Sequence, residues 1–239
     1  MAGASIELEH VRFRYEDMDM AFDLAVPASE LTALIGPSGS GKTTILNLIA
    51  GFEVAVSGAI RIDGLDVGAL PASERPVTMV FQDHNVFAHL DVATNVGLGI
   101  SPALRLKPSD LERVAAALAR VGLEDFGRRL PGQLSGGERQ RVALARCLVR
   151  DRPVLLLDEP FAALGPALRR EMLDLIADIH RERAMTVLLV THQPEDARRI
   201  AARTAFVHDG RILAVRPTDD LLGASDIPEL REYLGVPDS

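Results

Sequence analysis

Gly36-Pro37-Ser38-Gly39-Ser40-Gly41-Lys42-Thr43 stands between an apolar run, Leu31–Ile35, and a stretch of helical character, Lys42–Ala50. The spacing is G-x-x-x-x-G-K-[ST], the phosphate-binding P-loop. Glycines at these places let the backbone wrap closely around phosphates with its N–H groups pointing inward, and the helix that follows adds its positive end. Lys42 is expected to bring a point charge to the β- and γ-phosphates, and Thr43 a hydroxyl to Mg²⁺. The plain alternative is a Gly/Ser turn with an incidental lysine, which explains neither the strand before it nor the helix after it. An α/β fold of the P-loop NTPase class follows, with residues 36–43 and the adjoining Thr44 as nucleotide-binding candidates.

Val154-Leu155-Leu156-Leu157-Asp158-Glu159 reads as an apolar strand ending in two adjacent acids. In a parallel sheet ligands gather at the carboxyl ends of strands, where the P-loop and these acids would both lie. Asp158 suits the Mg²⁺ shell and Glu159 can polarise an attacking water. Phosphoryl transfer asks for positioning and charge stabilisation more than covalent help, so a few such groups suffice. Taken alone, Asp158 would be no more than a strand-end acid; beside a P-loop it gains a role.

A third segment, Leu134-Ser135-Gly136-Gly137-Glu138-Arg139-Gln140, opens a helix. Ser135 and Glu138 form a capping box, but a capping box does not ask for two glycines. Gly136 and Gly137 leave backbone N–H groups bare at a helix N-terminus, which makes an anion site. A second phosphate-binding element so far from the P-loop is hard to place in a simple NTPase.

These segments together resemble the ATP-binding subunits of ABC transporters. The resemblance implies a RecA-like parallel sheet core, an N-terminal antiparallel β subdomain and an inserted helical subdomain. It implies that Ser135, Gly136, Gly137 and Glu138 bind the γ-phosphate of ATP held by a second copy of the chain. Gln82 is similar to the glutamine that contacts Mg²⁺ and the water and senses the membrane subunit. His192 resembles the switch histidine on the γ-phosphate, and Tyr15 the aromatic that stacks on adenine. In isolation Tyr15 would be a strand-end aromatic packing locally, and His192 a strand-end histidine without a role. The resemblance thus makes Glu159, His192, Gln82 and Lys42 the catalytic candidates and Thr43, Gln82 and Asp158 the metal candidates. ATP and Mg²⁺ are the implied cofactors. The implied partners are a twin of the chain, separate transmembrane permease subunits and, indirectly, a periplasmic or surface solute-binding protein. One element departs from the pattern: Ala162-Ala163-Leu164-Gly165 has glycine where the family has an acid that helps join the two sites, although Gly165 also suits a helix start before Pro166.

Within the family, residues 75–82, 95–99 and 129–137 resemble the ATP-binding subunits of thiamine importers. Thiamine or thiamine phosphate is therefore the expected solute, with iron, a polyamine or an oxyanion as alternatives. A soluble ABC ATPase acting on nucleic acid or the ribosome is a further alternative. Residues 81–90 correspond to the family's permease-contacting groove, though Val86, Phe87 and Leu90 are equally suited to a core.

The rest of the chain bounds these expectations. It has 239 residues, 47% of them hydrophobic, enough for one large domain over 1–239 with a lobe over 95–150. Strands are expected at 59–62, 77–80, 186–191, 204–208 and 211–215. Alternation slips by one near His10, which predicts a bulge, and Met20, Phe22, Leu24 and Val26 continue a hairpin. In the lobe, Leu111, Val114, Ala115, Leu118 and Val121 repeat at helical spacing behind Ser109 as N-cap. A short tail after Val215 leaves no room for a regulatory domain. The formal charge of −8 argues against a broad nucleic-acid surface and against docking to anionic lipid. A single cysteine, Cys147, excludes an internal disulfide and is expected in the core. Apolar runs are too short to span a bilayer and no signal peptide is evident. The expected place is peripheral, on the cytoplasmic face of the inner membrane.

Overall fold

The computed structural model describes residues 3–15, 18–81, 86–223 and 226–235. The strands are β1 (Ile6–Tyr15), β2 (Met18–Val26), β3 (Leu31–Ile35), β4 (Ser57–Ile62), β5 (Leu65–Asp66), β6 (Val77–Val80), β7 (Val154–Asp158), β8 (Thr186–Val190), β9 (Arg203–His208) and β10 (Arg211–Pro217). The helices are α1 (Lys42–Ala50), α2 (Val92–Gly97), α3 (Pro108–Arg120), α4 (Gly136–Arg150), α5 (Pro166–Arg183), α6 (Pro194–Ile200), α7 (Thr218–Gly223) and α8 (Pro228–Leu234).

Every residue of β3, β7 and β8 is buried. Side chains alternate along a strand, so Ala33, Ile35, Leu155, Leu157, Val187 and Leu189 enter one core, and Leu34, Val154, Leu156, Leu188 and Val190 the other. A sheet buried on both faces needs cover on both sides, and these strands are parallel. The strand order is β5-β4-β1-β2-β10-β9-β3-β8-β7-β6. From β9 to β6 all neighbours run parallel, whereas β5, β4, β1 and β2 form an antiparallel wing. β10 joins the two parts, antiparallel to β9 and parallel to β2. The slip at His10 is a bulge: pairing with β2 shifts between Leu8 and Val11, and His10 takes φ 49°.

Between Val80 and Val154 the described residues form no strand. They form α2, α3, two short 3₁₀ turns and α4, with Val96, Val114, Leu118, Leu134 and Val142 in one shared cluster. Two details differ from the periodicity. Pro108, which has no N–H to leave unpaired, takes the first position of α3, so Lys107 rather than Ser109 is the cap, and the Asp110 carboxylate accepts its N–H at 3.0 Å. Ala117 is buried while Leu111 and Ala115 are exposed, because α3 turns its Val114–Leu118–Val121 edge to the cluster. Cys147 is buried, its thiol donating to the Met79 carbonyl at 3.6 Å and pushed up in pKa by burial. No helix of the described residues is long and apolar enough to cross a membrane.

The helix behind the P-loop is anchored at its far end. Arg75, 1% exposed, donates to the carbonyls of Leu48 and Ile49 at the last turn of α1, and to those of Leu70 and Gly68. A guanidinium is well placed at the negative end of a helix. It fixes the axis of the element that begins with Lys42.

Candidate nucleotide site

Register decides what meets at the carboxyl edge of the sheet. Val190 stands level with Leu34 on one side and with Asp158 on the other. Gly36 and Glu159, directly after their strands, and His192, two residues past β8, therefore emerge side by side from a buried platform.

The P-loop's conformation explains its glycines. Gly36 has φ 147°, and a Cβ there would lie 1.9 Å from the Val207 carbonyl oxygen, so no other residue fits. Lys42 folds back beneath the loop, donating to the carbonyls of Gly36 at 2.9 Å and Pro37 at 2.6 Å. Burial lowers its pKa to about 8, with the nearby charges of Glu159 and Asp158 opposing the shift. The ammonium is thus tied to the main-chain oxygens of its own loop.

Thr43 donates its hydroxyl to Asp158 Oδ1 at 3.0 Å. Burial raises the Asp158 pKa, countered by that hydrogen bond. Glu159 adopts φ 45°, with its N–H on the Val190 carbonyl at 3.1 Å. This left-handed turn carries the side chain back over the strand end, where it pairs with His192 Nε2. His192 Nδ1 lies 3.3 Å from the Gly36 carbonyl oxygen, so both ring nitrogens face oxygen acceptors.

These groups open on a cleft of about 700 Å³ lined by Phe13, Tyr15, Met20, the P-loop, Thr44, Glu159 and His192. Tyr15 is 56% exposed at the end of β1, presenting a free ring at the rim. Ser135, Gly136, Gly137 and Glu138 are not among the residues lining the cleft. Ser135 caps α4: its Oγ accepts the Glu138 N–H, and the Glu138 carboxylate accepts from Ser135 N and Oγ, which lowers the Glu138 pKa. The two glycines there differ. A Cβ on Gly137 would lie 2.5 Å from Leu168, whereas one on Gly136 would meet nothing closer than 3.9 Å. Packing within the chain therefore explains Gly137 and leaves Gly136 facing outward. Gly165 caps α5 without a side chain, and a Cβ there would meet no atom within 4 Å. Gln82 falls outside the described residues.

The sequence matches the ABC transporter family over residues 20–162. The chain belongs to this family. It is 58% identical to the thiamine import ATP-binding protein ThiQ of Mesorhizobium japonicum over 234 residues, covering 98% of this chain and 92% of that protein. It is 54% identical to the protein of the same name from Salmonella paratyphi A over 217 residues, covering 91% and 92%. Among solved structures, the dimeric ATP-binding cassette MJ0796 bound to ADP and Pi superposes with a TM-score of 0.78 at 29% identity, covering 89% of this chain and 98% of that one. The fold is that of an ABC ATPase, and the row of Gly36, Asp158, Glu159 and His192 is the carboxyl edge of this cassette's sheet.

Several groups that brace the site carry no signal in the sequence. Arg169 on α5 clamps Asp196 of α6 through Nε and Nη2, and Asp196 also accepts from Thr191 Oγ1 at 2.7 Å. This network fixes the residue just before His192. Gln140 on α4 donates to the Pro160 carbonyl, tying that helix to the turn after Glu159. Tyr233 donates to the His192 carbonyl from α8. Of residues 81–90, Val86 packs on the core, whereas Phe81 and Phe87 line a separate groove of about 410 Å³ with Met79, Leu98 and Arg146.

Proposed function

We propose that this chain is the ATP-hydrolysing subunit that energises thiamine import across the inner membrane, from its cytoplasmic face. The observation that carries hydrolysis is the meeting of Lys42, Thr43–Asp158 and Glu159–His192 on one strand-end row. The choice of solute rests on the full-length similarity to thiamine import ATP-binding proteins, since this subunit need not touch the solute.

The P-loop, residues 36–41, through its non-proline amides, and Lys42 hold the β- and γ-phosphates, with Thr44 at the start of α1 and Tyr15 against the base. Glu159 polarises the attacking water, and His192 positions it against the γ-phosphate. Gln82 joins them from the segment that meets the permease. Among the described residues no group of three or more His, Cys, Asp or Glu is gathered for a metal. A hydroxyl and one carboxylate 3.0 Å apart fit Mg²⁺, a hard cation that takes its remaining ligands from phosphate and water. Thr43, Asp158 and Gln82 would hold it. Held there, Mg²⁺ would supply positive charge to offset the negative charge that develops on the phosphates.

Ser135, Gly136, Gly137 and Glu138 meet the γ-phosphate of a second copy, so the working unit is a homodimer closing on two ATP molecules. Closure and release drive the permease through the groove lined by Phe81 and Phe87, and a solute-binding protein delivers the cargo. Reconstituted with its permease and solute-binding protein, the complex should hydrolyse ATP several-fold faster with thiamine or its phosphates. Stimulation by iron, a polyamine or an oxyanion instead would reassign the solute.

Lys42 gives the site a pH signature. Its folded pKa of about 8 lies below the ordinary lysine value, and phosphate would raise it again on binding. ATP therefore selects the protonated form, so affinity falls by about twofold from pH 7 to 8 and more steeply above that, approaching tenfold per pH unit. Equilibrium binding of ATP from about pH 7 to 9.5 should show this limb, and Lys42→Met should bind more weakly and lack it. A wild-type affinity constant over that range would refute the assignment.

A further inference from the structure

Tyr233 is half-buried on α8, its ring 5.7 Å centroid to centroid from that of Phe206 on β9. The helix is seated by Leu230, which is fully buried in the same cluster as Leu221 and Leu222 of α7. From this anchorage the Tyr233 hydroxyl donates to the main-chain oxygen of His192 at 2.9 Å. Burial pushes the pKa of the phenol up. His192 Nδ1 lies 3.3 Å from the Gly36 carbonyl oxygen.

One phenol thus holds the main chain of the histidine that faces Glu159, and the ring of that histidine lies against the residue that opens the P-loop. Packing against Phe206 would be served equally by phenylalanine. The hydroxyl is what distinguishes tyrosine here, and its partner lies at the mouth of the site. His192 sits just past the end of β8, so its main chain is held by such side-chain contacts rather than by strand pairing. The Thr191–Asp196–Arg169 network secures one side of it, and Tyr233 the other.

We propose that Tyr233 is a positioning residue for ATP hydrolysis, whose hydroxyl fixes the His192 main chain and so sets the imidazole's approach to Glu159 and the γ-phosphate. This rests on the roles given above to Glu159 and His192. Loss of the hydroxyl leaves ATP binding intact, because Lys42, Thr43 and the P-loop amides do not depend on it.

Tyr233→Phe keeps the ring on Phe206 and removes only the hydroxyl. In the full-length protein its kcat for ATP hydrolysis should fall about tenfold, while KM for ATP stays within about twofold. The thermal midpoint should stay within about 4 °C of wild type. Glu159→Gln is assayed in parallel to report on the site itself. A wild-type kcat in Tyr233→Phe beside an inactive Glu159→Gln would overturn the positioning role and leave the site standing. A joint rise in KM and loss of thermal midpoint without a kcat effect would reduce Tyr233 to packing. Full activity in Glu159→Gln would overturn both assignments.

Discussion

Replacing Glu159 by glutamine should slow steady-state phosphate release by about a thousandfold while equilibrium ATP binding is kept. The substitution exchanges one oxygen for an NH₂ of nearly equal size, so the turn at φ 45° and the N–H bond to Val190 at 3.1 Å have no cause to change. Lys42, Thr43 and Asp158, which would hold the phosphates and Mg²⁺, are untouched. Glu159 also raises the Asp158 pKa by its charge, so removing that charge leaves Asp158 more readily ionised and no poorer as a metal ligand. What disappears is the group that can take up a water's proton character as it attacks. With release slowed and closure kept, ATP should trap the closed form. Single-turnover phosphate release and gel filtration with ATP and Mg²⁺ would test both halves. A rate within about tenfold of wild type would move the catalytic role away from Glu159.

What could be read in the sequence was local. The P-loop, the β7 acids and the capped start of α4 each carry their chemistry within a few adjacent residues. The apolar runs of β3, β7 and β8 announced a sheet buried on both faces. Contacts made by distant residues carried no such mark. Tyr233 is 41 residues from His192, and the tail that holds it consists of two helices too short to show periodicity, α7 and α8. Nothing beside Arg75 in the sequence marks its partners, yet it closes the last turn of α1 through Leu48 and Ile49. α3 shows a subtler limit. Its run of alanines fits more than one apolar stripe, and only packing against α4 and the adjoining turns selects Ala117 over Ala115. The paired glycines of residues 136 and 137 read as one feature, but Leu168 separates them into a packing residue and an outward-facing one.

That outward face bears on the second large effect. Lys42→Ala and Ser135→Arg should each lower ATP hydrolysis at least about a hundredfold, and an equal mixture of the two should recover activity. In the proposed dimer one site pairs Lys42 of the first copy with Ser135 of the second. A mixed dimer then combines both lesions in one site and leaves the other whole. Random pairing makes about half of all dimers mixed, so about a quarter of wild-type sites are restored. The geometry favours this outcome over a site contained in one copy. The cleft around Lys42 is lined without Ser135, Gly136, Gly137 or Glu138, and a Cβ on Gly136 would meet nothing closer than the Arg139 guanidinium at 3.9 Å. Gly165 sharpens the expectation. With no side chain at that position and nothing within 4 Å of where one would begin, the acid that would join one site to the other is missing, so an intact site should fire beside a damaged one. Phosphate release from wild-type, single-variant and mixed samples at equal total protein would decide it. Recovery to about a quarter places the nucleotide between copies. A mixture no more active than the mean of its components would count against a shared site that fires on its own, and near-wild-type rates in Ser135→Arg alone would remove α4 from the nucleotide altogether.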